Sequence, residues 1–407
     1  PRTVDYVILT HAHIDHSGRL PKLVNKGFRG KILATEPTIK LIQLLLIDSA
    51  RIQEYEYKKD SSKVPLYSVE DVTNKVFPLL EILEYRTKRI LTDNLNVELF
   101  EAGHILGSAI VKTRIQEGSI EKSVVFSGDL GHPGQKIIRD AELIESADYV
   151  VMESTYGAGV HLERSLAEKV LLEELINGYD HRSNIIIPTF AVERTQELLF
   201  ILNKYYENGK FRNYPVYLDS PLGIAATEVY KKFVSYYDEE TKTLIDIGDD
   251  PFDFPYLHIE KGMKRNSKDK KNIMKPGIVI AGSGMCTGGR VIEHLKNHLD
   301  DPTAVIIFLG YQVKDTLGRM IQENNGLVKI DDVEYNVKAK VISISGFSAH
   351  ADQNDLLNWI DGFDNTRLKK IFLVHGERES SLAFKDLLNK KKNQDIYIPK
   401  IGESFTL

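Results

Sequence analysis

The chain has 407 residues, 42% hydrophobic and 27% charged, a balance that excludes a largely disordered polypeptide and leaves room for two or three domains. A net charge of −5 excludes a uniformly basic nucleic-acid binder, so any polyanion would have to meet a local basic surface. No apolar run approaches the roughly 20 residues a membrane helix needs, and the single cysteine, Cys286, excludes an internal disulfide and fits a cytoplasmic protein.

Two basic runs, 261–272 and 389–393, are read as a solvated loop and a helix end rather than as nucleic-acid patches. Pro1 begins a few residues before a strand, with no charged leader ahead of an apolar core. No signal peptide is expected, and an upstream piece is.

Taken in chain order, "DYVILT" (5–10) predicts a strand, followed by a histidine-rich loop and the helical "GRLPKLVNKG". "NVELFEA" and "AIVKTRI" predict strands on either side of "GHILGS", and "SVVFSGD" (123–129) another. "DYVVMEST" (148–155) predicts a strand ending in a carboxylate.

From about Tyr156 the rhythm changes to alternating helix and strand. "RSLAEKVLLEELING" and "ERTQELLFILNKYYENG" are helical, the latter ending at Gly209, and "IAATEVYKKFVSYY" reads as one helix. "NIIIPTF", "PVYLDS", "GIVIAGSG" and "AVIIFLG" are short buried strands, and "RVIEHLKNHL" a helix. That alternation predicts a parallel sheet with helices on both faces. After Lys340, "KVISISG", "QNDLLNWI", "KKIFLVHG" and "SLAFKDLLNK" continue as strand, helix, strand and helix.

The chemistry concentrates in "THAHIDHSG" (10–18). His11 and His13 are two apart, so on an extended segment both point to one side and suit one metal ion. Asp15 and His16 follow where the chain turns into a helix and suit a second. Imidazole and carboxylate ligands favour zinc, manganese or iron over magnesium or calcium. His294 and His298 lie four apart on one helix but lack a H-E-x-x-H pattern, so they read as surface residues.

"THAHIDHSG" resembles the signature of the metallo-β-lactamase superfamily, and His104 of "GHILGSA" and Asp129 of "FSGDLG" stand in that family's order. "MESTYG", "PTFAVERTQELL", "GSGMCTGGR", "GYQVKDTLGR", "SGFSAHAD" and "VHGE" narrow the likeness to the β-CASP nucleases, relatives of the endonuclease subunit of the cleavage and polyadenylation specificity factor. The likeness implies an α/β architecture. A metallo-β-lactamase αββα sandwich (1–155 and 341–407) would be interrupted by an inserted parallel-sheet β-CASP domain (156–340). The sandwich's earliest strands, with a further strand-end aspartate, would lie upstream of Pro1.

By the same resemblance, His104 joins His11 and His13 on a first metal and Asp129 bridges to a second. Asp15, His16 and His375 hold the second metal. Two zinc ions per chain are implied, with manganese the alternative. His350 matches a catalytic histidine and Glu153 the acidic residue that orients it, while Asp15 also orients the attacking water. A histidine at position 375 favours RNA over DNA.

Two bridged cations with a histidine proton donor suit phosphodiester hydrolysis. The expected function is therefore a ribonuclease, endonucleolytic with a 5′→3′ exonuclease mode, acting on single-stranded RNA in the cleft between the domains. "GSGMCTGG" lacks the Gly-Lys-Ser/Thr ending of a nucleotide loop, so ATP is not expected. Ser283 and Met285 are candidates for RNA backbone or base, and Arg290 or Arg194 for phosphate. The alternatives are a small-molecule hydrolase, a DNA-processing β-CASP nuclease and a catalytically inactive scaffold paralogue. A homodimer is compatible with the sequence.

Overall fold

The structure, a computed structural model, describes residues 1–259, 276–323 and 326–407, so the basic run 261–272 lies outside the described residues. Two compact units emerge, Pro1–Val160 with Ala349–Leu407, and His161–Ser348.

The first unit is built on two sheets. Strands Tyr6–Ile8, Lys31–Ala34 and Leu80–Ile82 form a parallel three-stranded sheet in that order. Helix Glu36–Lys59, capped by the Thr35 side chain and carrying Pro37 in its first turn, packs against the third of these strands. A seven-stranded mixed sheet runs Asp395–Tyr397, Lys370–Val374, Tyr149–Glu153, Ile120–Phe126, Ala109–Glu117, Leu95–Glu101 and Arg89–Thr92.

Alternation along its strands sorts the side chains to two faces. Val97, Leu99, Ala109 and Val111 point one way and pack with Leu33, Tyr6 and Ile8 of the small sheet. Ile110, Val125, Val150, Met152, Ile371 and Leu373 point the other way, onto Leu356, Trp359 and Ile360 of helix Gln353–Asp361 and Phe384 and Leu388 of helix Arg378–Lys391. Lys390 and Lys391 end the latter helix, where cations favour its carbonyl terminus, so run 389–393 is a helix end.

The second unit holds a six-stranded, wholly parallel sheet in the order Leu257–Ile259, Val216–Asp219, Ile278–Ala281, Ile185–Pro188, Val305–Phe308, Lys340–Ser343. Four of these strands bury every residue, as a parallel sheet covered on both faces requires. Ile186, Val279, Ile306 and Phe308 form the core of one face with Val291, Leu295 and Ile321.

Two local readings change. Strand Lys340–Ser343 pairs in parallel with Val305–Phe308, so this stretch belongs to the inserted unit and not to the returning segment. The helix read through "IAATEVYKKFVSYY" stops at Tyr230 and resumes as a short turn over Val234–Tyr236. Phe233 and Tyr237, on either side of that turn, are buried, and Tyr237 lies against Phe252 with ring centres 6.5 Å apart. Among the described residues no helix is long and apolar enough to cross a membrane.

Candidate functional site

Every candidate metal ligand lies in the first unit, at the ends of strands. The chain leaves strand Tyr6–Ile8, and Ala109 N donates to Thr10 O (2.7 Å), pinning the loop to the large sheet. It then coils into one helical turn, Ile14–Ser17, with Asp15 and His16 on it and Ser17 Oγ donating back to Ala12 O (2.9 Å). His104 and Asp129 sit in the turns after Leu95–Glu101 and Ile120–Phe126, and His375 follows Lys370–Val374.

The turns are packed backbone to backbone. Gly103 has φ +66°, and a Cβ there would lie 2.6 Å from Ala141 N. At Gly131 a Cβ would lie 1.7 Å from Gly103 O, so only glycine lets the His104 and Asp129 loops meet.

His11, His13, His104 and Asp129 place one ligand atom each within 4.8 Å of one another, and Asp15, His16 and His375 do the same. Asp129 stands between the sets. Its Oδ2 lies 3.4 Å from His11 Nε2 and 3.3 Å from His16 Nε2, and its Oδ1 lies 3.5 Å from His375 Nδ1. His13 Nδ1 and His104 Nε2 are 3.1 Å apart, as are His16 Nε2 and His375 Nε2. The first set is closed, with His11, His104 and Asp129 buried, whereas the Asp15 side chain is 60% exposed.

The electrostatics suit a cation. Burial holds His11 and His104 well below the usual histidine range and pulls His13 down to about 4, so the rings offer neutral lone pairs. Burial opposes ionisation of Asp129, but the hydrogen bond from His16, with the surrounding histidine rings, holds its carboxyl well below the usual range. At Asp15, burial is likewise outweighed by the His375 hydrogen bond, and its pKa falls to about 2.

His104 Nδ1 donates to Ala349 O (3.2 Å), which turns the unprotonated Nε2 into the cluster. His11 Nε2 and Asp129 Oδ1 are buried and make no hydrogen bond among the described residues. In the first set, neutral imidazoles around an ionised carboxylate, with converging unsatisfied atoms, fit a divalent metal ion, and Asp15, His16 and His375 offer a second, more open group of donors.

Beside the cluster, His350 Nδ1 lies 3.2 Å from both oxygens of Glu153, the last residue of strand Tyr149–Glu153. Glu153 is fixed in turn: Oε1 accepts from Leu130 N (2.6 Å), and its N donates to Ser127 Oγ (3.0 Å). Burial lowers the His350 pKa, but the charge and hydrogen bond of Glu153 outweigh it and push the value up to about 9. The ring centre of His350 is 4.5 Å from that of His104.

His350 does not cap the following helix. Asp352 does, accepting from Asn354 N (2.8 Å) and Asp355 N (3.0 Å). Asp352→Ala is expected to lower unfolding free energy by about 0.5–2 kcal/mol, read from the urea midpoint.

The four RNA candidates are in the second unit. Ser283 and Met285 are partly exposed on the loop after Ile278–Ala281, but Ser283 Oγ serves the loop itself, accepting from Thr287 N (3.1 Å). Arg290 is partly exposed and its guanidinium pairs with Asp219, while Arg194 is buried and pairs with Glu197. Arg194 is thus a core residue, because helix Arg194–Glu207 turns its first turn inward. His294 is buried and contacts Asp219 Oδ2 (2.8 Å), so it is not a surface residue.

Sequence reasoning passed over Glu101 and Gln135. The Glu101 carboxylate, raised to about 8 by burial, accepts from Gly103 N (3.0 Å). Gln135 Nε2 donates to Gly103 O (2.8 Å) and Ala349 O (3.2 Å), holding the His104 loop to the chain just before His350. The only hint of Glu101 was a carboxylate at the last position of strand Leu95–Glu101, where the alternation buries it.

Three family descriptions match successive stretches of the chain. A metallo-beta-lactamase superfamily domain covers residues 1–155, a Beta-Casp domain 195–321, and a Zn-dependent metallo-hydrolase RNA specificity domain 334–399. Ribonuclease TTHA0252 of Thermus thermophilus is 36% identical over 99% of this chain and 88% of its own length. An RNase J-like protein of Methanocaldococcus jannaschii is 31% identical over 98% and 88%. The transcription termination factor FttA of the same archaeon is 34% identical over 97% of this chain, which spans 62% of that protein. With these three matches in succession and similarity running nearly end to end, the chain belongs to the β-CASP family of the metallo-β-lactamase superfamily.

Proposed function

We propose that the protein is a metal-dependent ribonuclease that hydrolyses phosphodiester bonds of single-stranded RNA, as an endonuclease with a 5′→3′ exonuclease mode. The observation that carries this reading is the convergence of seven ligand residues beside a His350–Glu153 pair. Relatives named as a ribonuclease and an RNase J-like protein, and the RNA specificity domain match, support RNA as the substrate.

His11, His13, His104 and Asp129 would hold one cation and Asp15, His16 and His375 the other, zinc or manganese in each case. Bound there, the two cations would acidify a shared water, offset phosphate charge and favour in-line displacement. The protein's own residues supply the rest. Asp15, kept ionised, orients the attacking water at the open side of the cluster.

His350 supplies the proton that the leaving ribose oxygen requires. Its Nδ1–H is engaged by Glu153, so the proton passed on is that of Nε2, and the carboxylate stabilises the charged ring before transfer. We place the enzyme in the cytoplasm, where its lone, buried Cys286 needs no partner. Nothing in the mechanism depends on whether two copies pair.

The test is incubation of 5′- and 3′-labelled single-stranded RNA and DNA with the protein, with and without chelator, alongside elemental analysis. Cleavage of RNA but not DNA, its arrest by chelator and about two transition-metal ions per chain are expected. Cleavage indifferent to chelator would remove the metals from the reading, and equal cleavage of DNA would remove its preference for RNA.

A further inference from the structure

In open parallel sheets, ligands are met by the loops that leave the carboxyl ends of the strands. In the second unit, three adjacent strands, Ile278–Ala281, Ile185–Pro188 and Val305–Phe308, run directly into such loops. Their strand residues are wholly buried, yet the loops present large apolar side chains to solvent: Phe190 and Tyr311 are each 44% exposed. Val313, on the same loop as Tyr311, is 38% exposed.

These side chains are not scattered. A Cβ at Gly284 would lie 2.9 Å from Phe190 Cδ2 and 3.0 Å from its Cε2, so the phenyl ring rests against that glycine. On the other side, Gln312 Nε2 donates to Gly284 O (3.1 Å) and Tyr311 O (3.2 Å), tying the Tyr311 loop to the same residue. Gly318 N donates to Met285 O (3.2 Å), a second tie. Gln312 is 4% exposed, so this joint is part of the fold rather than a surface contact.

One aromatic ring resting on a glycine-rich loop and a second, exposed, on the loop tied to it mark a binding surface. Charge does not define it. Arg290, the loop's cation, is engaged by Asp219, and the chain as a whole carries −5. A ligand that meets aromatic rings without needing strong positive charge is an unpaired nucleobase, which stacks on Phe or Tyr irrespective of sequence.

We propose that Phe190 and Tyr311, flanking Gly284, form a stacking platform for unpaired bases of the RNA substrate. The proposal rests on the ribonuclease reading and deepens it, since it locates where the strand is gripped rather than where it is cut. Each ring is a positioning group. Glycine at 284 is part of the device, because any side chain there would push Phe190 off the loop.

The test is equilibrium binding of a short labelled single-stranded RNA to the His350→Ala protein, which is expected to keep its metal and to consume the probe at least about 100-fold more slowly. Adding Phe190→Ala or Tyr311→Ala is expected to weaken binding about 5- to 100-fold each, whereas Phe190→Tyr and Tyr311→Phe retain it. Removing single bases from the probe, leaving the backbone intact, should weaken binding to the His350→Ala protein at one or two positions. The same abasic probes should make little further difference once Phe190 is alanine. Thermal melting of each variant separates misfolding from lost contact. Tight binding that ignores both alanine substitutions would overturn the platform, as would a loss that the aromatic replacements fail to restore. Absence of RNA binding by the His350→Ala and wild-type proteins alike would instead sink the ribonuclease reading, and the platform with it.

Discussion

Asp129→Ala is expected to strip the protein of both metal ions and to reduce RNA cleavage to background. The reason is position. One carboxylate oxygen faces His11 and His16 at 3.4 and 3.3 Å, one from each ligand set, and the other faces His375 at 3.5 Å. Removing the group deprives both sets of their shared anion, leaving neutral imidazoles in the first and Asp15 as the lone carboxylate of the second, so each binds a divalent cation less well. Asp129→Asn should lose metal similarly while keeping the side chain's shape, which separates lost charge from lost packing. His375→Ala touches only the exposed set, so its metal content should fall by about one ion per chain. Elemental analysis beside the cleavage assay reads all three. An Asp129→Ala protein that kept two ions would end the bridging assignment.

His350→Ala is expected to lower the cleavage rate by about 10²- to 10⁴-fold, the usual contribution of a positioned proton donor, with metal content unchanged. Metal retention matters, because it distinguishes a donor from a ligand. Glu153→Gln tests the partner. Folding raises the His350 pKa to about 9, with the carboxylate outweighing burial, so the ring stays charged at neutral pH and loses its proton as pH rises through that value. Activity that needs the charged ring is therefore present below the folded pKa and lost above it. Without the carboxylate, the larger raising causes are gone and only Asp129 and Asp15 still oppose burial, so the pKa falls. The alkaline limb of the pH–rate profile should then move to lower pH. Identical alkaline limbs for wild type and Glu153→Gln would remove Glu153 from proton control.

Much of the candidate site was legible because its residues sit at strand ends, where short motifs retain their order in the fold. The His11–His16 turn, His104, Asp129 and His375 each follow an apolar strand, and strands of alternating or continuous apolar residues are the clearest pattern a sequence offers. The supporting residues were harder. Gln135 acts through donors to Gly103 O and Ala349 O, and no spacing rule links positions that far apart.

The 24-residue helix Glu36–Lys59 drew no comment, although Thr35 and Pro37 mark its start, because its apolar residues form no narrow stripe. Arg194 shows the opposite error. An arginine in a conspicuous motif invites a phosphate, but its helix is buried on almost every side, and there the guanidinium is needed to balance Glu197. Residues 341–343 were read with the returning segment because a four-residue strand does not say which sheet it will join.

The order of the ligands along the polypeptide sets a timetable for the molecule's birth. All four residues of the closed set have left the ribosome once Asp129 emerges, while His350 and His375 arrive only after the entire inserted unit. At about 5–20 residues per second, the interval is on the order of ten seconds to a minute. A nascent chain can thus gather the four residues of the closed set and settle its early sheets while it lacks His375, which completes the second set, and the proton donor His350. On the proposed reading, hydrolytic competence is withheld until the segment carrying His350 and His375 has followed the inserted unit, so a copy halted before it would remain harmless to the message still being translated.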